Sequence, residues 1–364
     1  MHGELMAAEI AEQPAVLARI IAEGRLHIAA SGHAIRARAP RFVLFVARGT
    51  SDHAALYAKY LVETRLGLPA GLVSPSTMTV YDARPALRDV LFIAVSQSGG
   101  SPDLLEPLTR ARAGGAITVA VTNAPDSPLA TAAEYHIDVL AGPERAVAAT
   151  KTYTAELLAL FLLVEGIAGH DGAEAASLPH RADAMLARAD EVARLAVRYR
   201  FAEQLVTISR GYNYPTAREA ALKLMETSYL VAHAFSGADL LHGPMAMIHR
   251  GFPVIAIVPP GAGGAALAPV IERLRHLGAD MLIVGDPALV ARTGIGLALP
   301  DVGPEALSPI LTIMPLQQLA WRLARARRRP RPAAQPEQSD GDLVITGDYH
   351  PTGSPAATRW NSAA

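Results

Sequence analysis

Two stretches of this chain repeat one another. Phe42-Val-Leu-Phe-Val-Ala-Arg-Gly-Thr-Ser51 and Gln204-Leu-Val-Thr-Ile-Ser-Arg-Gly-Tyr-Asn213 are each an apolar run of strand length that ends in Arg-Gly and enters an Ala-rich helical stretch carrying Glu-Thr. The next strands also correspond. Val90 to Val95 leads into Ser96-Gln-Ser-Gly99, and Pro253 to Val258 leads into Pro259-Pro-Gly261, at nearly the same distance from the preceding Arg-Gly. Two copies of an alternating strand and helix unit predict parallel sheets covered by helices on both faces, with ligands at the carboxyl ends of the strands. Further strands are expected near Gly71 to Val73, Ala116 to Val121, His136 to Val139 and Met281 to Val284.

Only the first copy carries a hydroxyl-rich loop. Leu91 to Val95 is a short apolar run, and Ser101, Pro102 and Asp103 have the residue types of an N-cap followed by the first two helical positions. Ser96, Gln97, Ser98 and Ser101 are thereby gathered where free backbone N–H groups and the positive end of a helix favour an anion. A sugar phosphate fits this loop. A plain serine-rich turn has the same composition, and spacing alone leaves both readings open. One phosphate site per chain is expected, from the first half, with the second half contributing catalytic groups.

The chain has 364 residues, 51% of them hydrophobic and 18% charged, which suits two ordinary α/β domains with a large core. A net charge of −1 gives no footprint for nucleic acid. Glu4, Glu9 and Glu12 make the first twenty residues unlike a cationic secretion signal, and the apolar run Leu157 to Val164 is too short to cross a bilayer. A cytoplasmic protein without a membrane partner is expected. With no cysteine, disulfides, Cys-ligated metals and a cysteine nucleophile are excluded. His233 and His242 lack the i,i+4 spacing of a metal pair, and Gly261-Ala-Gly-Gly264 is not a complete nucleotide fingerprint, so no metal or cofactor is expected. The organisation reads as a helical preface (1–36), a first α/β domain with the serine loop (37–170), a helical connector (171–200) and a second α/β domain (201–326). The last segment, 327–364, is rich in Pro, Arg, Gln, Ser and Gly and reads as a disordered tail.

Arg48-Gly-Thr-Ser51, Ser96-Gln-Ser-Gly99, Ala148-Ala-Thr-Lys-Thr152, Gly211-Tyr-Asn-Tyr-Pro-Thr-Ala217, Glu219-Ala-Ala-Leu-Lys-Leu-Met-Glu226 and Leu241-His-Gly-Pro244 follow one another as in the SIS phosphosugar isomerases. More narrowly, residues 7 to 326 resemble the isomerase half of glutamine:fructose-6-phosphate aminotransferase and the stand-alone SIS-type glucosamine-6-phosphate deaminases. The resemblance implies an α/β chain of two tandem SIS domains, flavodoxin-like three-layer units with parallel sheets. It implies that Ser51, Ser96, Gln97, Ser98 and Ser101 hold the phosphate of a hexose or hexosamine 6-phosphate, and that Thr50, Val147 and Glu219 line the sugar. Glu226 matches the carboxylate that moves a proton between C1 and C2. His242 matches a ring-opening histidine that enters from the partner subunit, so a homodimer is implied.

Lys223 lies three residues before Glu226 and Glu219 seven before it, so on a helix all three share a face, and the ammonium can stabilise enediolate charge. Without the flanking motifs, an exposed i,i+3 ion pair is the favoured explanation of Lys223 and Glu226, and a helix-end or core position explains His242. The order of the motifs favours the functional reading. The aminotransferases free ammonia from glutamine with an N-terminal cysteine, which this sequence lacks, so the leading expected reaction is glucosamine 6-phosphate to fructose 6-phosphate plus ammonia. The alternatives are an isomerase-type relative of glutamine:fructose-6-phosphate aminotransferase without the glutaminase, another aldose/ketose phosphate isomerase, and a catalytically impaired sugar-phosphate-binding protein.

The chain departs from the family's pattern at several positions. Gly100, Ser101, Ala149, Met225 and His233 stand where relatives commonly have Glu, Thr, Ser, Lys and Glu. The family's terminal Pro-Arg-Asn-Leu-Ala/Ser-Lys-Val-Thr, whose lysine reaches the sugar carbonyl, is missing, and the lysines here are Lys59, Lys151 and Lys223. One permitted set of codons for Ala333 to Asp342, read one base later, spells Pro-Arg-Asn-Leu-Ser-Lys-Val-Thr-Glu. A frame shift between Ala326 and Pro330 is therefore expected in the DNA.

Overall fold

Strand and helix alternate twice over, as the repeat requires. In this computed structural model, residues 3–293 and 295–327 are described. The preface is α1 (Glu4–Arg19), which runs through a π turn at Ile20–Gly24 into α2 (Arg25–Ala37). The first α/β unit comprises β1 (Phe42–Val46), α3 (Gly49–Leu61), β2 (Ala70–Leu72), α4 (Ser76–Thr79), β3 (Val90–Ser96) and α5 (Pro102–Ala113). It continues with β4 (Ile117–Thr122), α6 (Pro128–Ala132), β5 (Tyr135–Asp138) and α7 (Lys151–Ala168). The expected helical connector is α8 (Leu178–Leu186) and α9 (Ala189–Arg198). After it come β6 (Gln204–Ser209), α10 (Tyr214–Ser228), β7 (Val231–Ser236), α11 (Gly237–Leu241), β8 (Pro253–Val258), α12 (Ala262–Ala265) and α13 (Ala268–Leu277). The second unit closes with β9 (Asp280–Gly285), α14 (Pro287–Thr293), β10 (Gly296–Ala298) and α15 (Ser308–Arg327).

The two five-stranded sheets have the orders β2-β1-β3-β4-β5 and β7-β6-β8-β9-β10, which are the same order, with every neighbouring pair parallel. This is the flavodoxin-like arrangement, in which the chain order reverses beside the first strand and a crevice opens at the carboxyl ends. Parallel strands need helical crossovers and are covered on both faces, and β3 and β4 are buried along their whole length. The two Arg-Gly turns match in detail. Arg48 and Arg210 are extended (φ −140° and −150°), and the glycines that follow adopt φ +55° and +64°, a left-handed conformation in which a β-carbon is disfavoured.

One continuous core joins the two units, drawing on α3, α7, α10 and α15 together with inward faces of both sheets. Helix α7 is buried from Lys151 to Ile167, which accounts for the apolar run Leu157 to Val164 as interior packing. Among the described residues no helix is long and apolar enough to cross a membrane. Strands β2, β4, β5 and β9 fall where the sequence predicts them, whereas β7 and β10 escape the pattern. Both are edge strands; β7 sets buried Ala232 between exposed Val231 and His233 and then runs through three partly covered residues, and its Val-Ala-His-Ala-Phe-Ser sequence shows no clean apolar–polar alternation. Arg327 ends α15, and the remainder of the expected tail, with the frame shift read into it, lies outside the described residues.

Candidate functional site

The serine loop forms where β3 gives way to α5. Ser101 is the N-cap of α5 with Pro102 in the first turn, as predicted, but its side chain makes no capping hydrogen bond and stays available to a ligand. The Gly99 N–H donates to Ser96 Oγ (3.1 Å) and the Gly100 N–H donates to Ser98 Oγ (3.3 Å). Each hydroxyl thus accepts from the loop and retains its own O–H for an anion. Gly99 is at φ +61°, and a β-carbon there would lie 2.2 Å from Ser127 Oγ, so the tight turn requires glycine. Gln97 is half-buried and Ser98 exposed, while Ser96 is buried at the strand end.

The β1 turn stands beside this loop because Val46 pairs with Ala94, and an Arg48–Asp103 ion pair of 3.2 Å ties the turn to the first turn of α5. Helix α3 then projects its first residues toward α10. Lys223 Nζ donates to Thr50 Oγ1 (3.1 Å) and to Glu226 Oε2 (2.6 Å), and Thr50 Oγ1 donates to Glu219 Oε1 (3.1 Å). Lys223 also approaches Glu219 Oε1 at 3.3 Å, and Glu219 Oε2 is 2.7 Å from His53 Nδ1. The pair is therefore not the exposed one that spacing alone allows: Lys223 and Glu219 are fully buried, and only Glu226 retains access to solvent. Burial by itself works against the Lys223 ammonium, but Glu219 and Glu226 outweigh it and hold it charged, above its ordinary range. Burial pushes the Glu226 carboxyl above the usual range, and Lys223 partly offsets this.

Ser51 lies one residue beyond Thr50 on another face of α3, where its Oγ is 2.8 Å from Glu156 Oε1 on α7. Val147 is 74% exposed at the tip of the loop before α7. Two carboxylates hold that loop from below. Glu9 accepts from the Arg145 N–H (2.5 Å) and Ala146 N–H (3.2 Å), while Glu144 accepts from the N–H groups of Thr150 (2.6 Å) and Lys151 (2.9 Å) at the start of α7. His242 caps the end of α11 on an exposed surface, and its ring has no hydrogen-bond partner among the described residues. The chain thus joins Thr50, Glu219, Lys223 and Glu226 into one contact group and sets Ser51 and the serine loop beside it. Val147 and His242 stand apart.

A cavity of about 470 Å³ opens between the β1 turn, α10 and β7, lined among others by Arg48, Asp52, His53, Arg218, Met225 and His233. Its lining includes His53, the partner of Glu219, but neither Glu226 nor the serine loop. Sequence reasoning missed His53, Glu144 and Glu156. For Glu156 a signal existed: a carboxylate directly before an eight-residue apolar run must either be exposed at a helix end or be buried with a partner.

Two tandem parallel units, with a serine-rich loop at the carboxyl end of a strand in the first, define the class of protein. Residues 38–166 and 199–291 match the SIS domain, and the chain belongs to that family. It is 35% identical over 291 residues to glutamine–fructose-6-phosphate aminotransferase (isomerizing) of Pyrococcus horikoshii, a match that takes in 78% of this chain and 48% of the relative. The chain spans about half the length of the curated relatives it matches. Among solved structures, the C-terminal domain of glucosamine-fructose-6-phosphate aminotransferase from Francisella tularensis superposes with a TM-score of 0.82 at 26% identity, covering 89% of this chain and 96% of that one. A Silicibacter pomeroyi DSS-3 protein, provisionally described as a phosphosugar isomerase, does so with a TM-score of 0.77 at 36% identity, covering 89% and 97%.

Proposed function

We propose that the chain acts on hexosamine 6-phosphates, converting glucosamine 6-phosphate and water to fructose 6-phosphate and ammonia. The observation that carries this reading is the 2.6 Å contact between buried Lys223 and solvent-accessible Glu226, on a helix that meets Thr50 beside the serine loop. Ser51, Ser96, Gln97, Ser98 and Ser101 hold the phosphate, and Thr50, Val147 and Glu219 face the sugar. In the open-chain sugar, Glu226 removes the C2 proton and returns it to C1 while a proton passes from the nitrogen to O1, which turns the aldehyde with its C2 amine into a C1 alcohol with a C2 imine. Water then adds to C2, and the nitrogen leaves as ammonia. Lys223 supports the oxygen charge that develops between the two proton transfers. Residues 37–170 supply the phosphate site and residues 201–326 the proton-transfer groups, with His242 completing the site of a second copy in a homodimer.

The relatives named aminotransferase support a second reading, in which the same proton transfer runs toward glucosamine 6-phosphate. Both directions use one chemistry. Ammonia released from glucosamine 6-phosphate, measured beside glucosamine 6-phosphate formed from fructose 6-phosphate with added ammonium, tests the proposal. Interconversion of aldose and ketose phosphates with no nitrogen exchange in either assay would replace it with a plain isomerase.

A further inference from the structure

Glu156 is a carboxylate in the protein interior with no basic partner among the described residues. It is 1% exposed on α7, its Oε1 lies 2.8 Å from Ser51 Oγ, and its Oε2 has no hydrogen-bond partner among the described residues. An ionised carboxylate would be costly in such a place, whereas a neutral acid needs only one good hydrogen bond. From the geometry we infer that Glu156 is a positioning residue for Ser51, a neutral acid that donates its proton to Ser51 Oγ and so leaves the serine O–H free to donate to the bound phosphate. This inference rests on the reading of Ser51 as a phosphate ligand.

The polarity of that single hydrogen bond decides what Ser51 offers. A hydroxyl has one proton, and a phosphate dianion accepts hydrogen bonds and donates none at neutral pH. If Glu156 is ionised it can only accept, so it claims the Ser51 proton and turns the oxygen's lone pairs toward the anion. If Glu156 is neutral, its own O–H satisfies Ser51, and the serine proton points outward. Ionisation would also set a negative charge one hydroxyl away from the phosphate. Burial is the largest cause that pushes the Glu156 carboxyl up to about 8, opposed by Ser51 and reinforced by two further carboxylates, Glu144 from the loop before α7 and Glu219 from α10. Beyond Glu219 stand Lys223 and His53, each already paired with that carboxylate, and Tyr153 on α7 itself is fully buried.

The consequence is a loss of phosphate affinity on the alkaline side. Because the folded acid is neutral below its raised pKa and charged above it, the competent form is full at neutral pH and declines as the pH rises through about 8. The phosphate ester itself is already a dianion there, so its own titration does not mimic the effect. The test is calorimetric titration with glucitol 6-phosphate, a hexitol that has no carbonyl to react. The wild-type chain should bind about tenfold more weakly at about pH 9 than at about pH 7. Glu156→Gln, whose amide can donate to Ser51 at any pH, should bind as well as wild type at neutral pH and show no alkaline loss. Glu156→Leu, which removes the donor, should be weak across the range, and Ser51→Ala should be weak already at neutral pH, with a smaller alkaline loss than wild type. An alkaline loss in Glu156→Gln equal to that of wild type would overturn the inference, even if Glu156→Leu failed to fold. If Ser96→Ala combined with Ser98→Ala leaves binding unchanged, the phosphate-site reading fails first, and that outcome is separate from any result at Glu156.

Discussion

The Lys223 ammonium is 1% exposed and lies 2.6 Å from the Glu226 carboxylate, whose side chain is 33% exposed, so the pair is sealed at one end and open at the other. The lysine is fixed from behind by Glu219 and Thr50, and of the three charged groups Glu226 alone keeps access to solvent. A charge held in that way needs no rearrangement when a neighbouring oxygen becomes negative, which is the condition for electrostatic stabilisation of an enediolate. It also gives the glutamate a proton acceptor's position without making it the lysine's only partner.

Glu226→Gln should abolish proton transfer while leaving ligand binding nearly intact. The amide keeps the size of the side chain and can still meet Lys223 through its oxygen, but it cannot take a proton. Ammonia release from glucosamine 6-phosphate should fall by about a hundredfold to ten-thousandfold, with glucitol 6-phosphate affinity changed by no more than about threefold. Solvent deuterium should no longer enter the product at C1. A variant that still turns over at wild-type rate would remove Glu226 from the chemistry.

Ser96→Ala combined with Ser98→Ala should weaken hexose 6-phosphate binding at least about tenfold, because each hydroxyl contributes a charge-assisted bond worth about 1.5–3 kcal/mol. Gly99→Ala should weaken it too, since the added methyl group meets Ser127 at φ +61°. Calorimetric titration checks both. Unchanged affinity in the double variant would move the phosphate site away from this loop.

Lys223→Met leaves Glu219 in the core without its ammonium and should cost about 3–5 kcal/mol of stability by urea unfolding. Lys223→Met combined with Glu219→Gln should recover part of that loss, because the stranded charge is gone. If the single variant is as stable as wild type, Lys223 is not the group that balances Glu219, and the contacts from His53 and Thr50 suffice.

The acid limb of the pH–rate profile should lie above the ordinary glutamate range. Burial raises the Glu226 carboxyl and a base works only when ionised, so kcat/KM falls as the pH drops through that raised value. Lys223 acts in the opposite sense, and Lys223→Gln should therefore move the limb to still higher pH in whatever activity remains. A limb that stays at the ordinary glutamate value in both proteins would assign it to another group.

Co-expressed His242→Ala and Glu226→Gln chains should regain activity that neither has alone. If His242 serves the neighbouring copy, a mixed dimer carries one site with both defects and one with none, so random pairing restores about a quarter of the native sites. A fully active monomer, observed by light scattering under assay conditions, would contradict a shared site.

Much of this arrangement was written locally. An apolar run, Arg-Gly, then an Ala-rich stretch encodes strand, left-handed turn and helix within a dozen residues, and its repetition sufficed to predict two parallel sheets. The serine loop and the Glu219, Lys223 and Glu226 face were legible for the same reason, since each lies within one turn or one helix. What only the tertiary structure decided is which side chains from distant segments share the interior. Ser51 meets Glu156 across 105 residues and His53 meets Glu219 across 166, contacts that depend on how α3 lies between α7 and α10. No periodicity records that packing. Sequence spacing fixes the face of an element on which a residue stands, whereas its protonation and partners follow from the low-dielectric surroundings that other elements build around it.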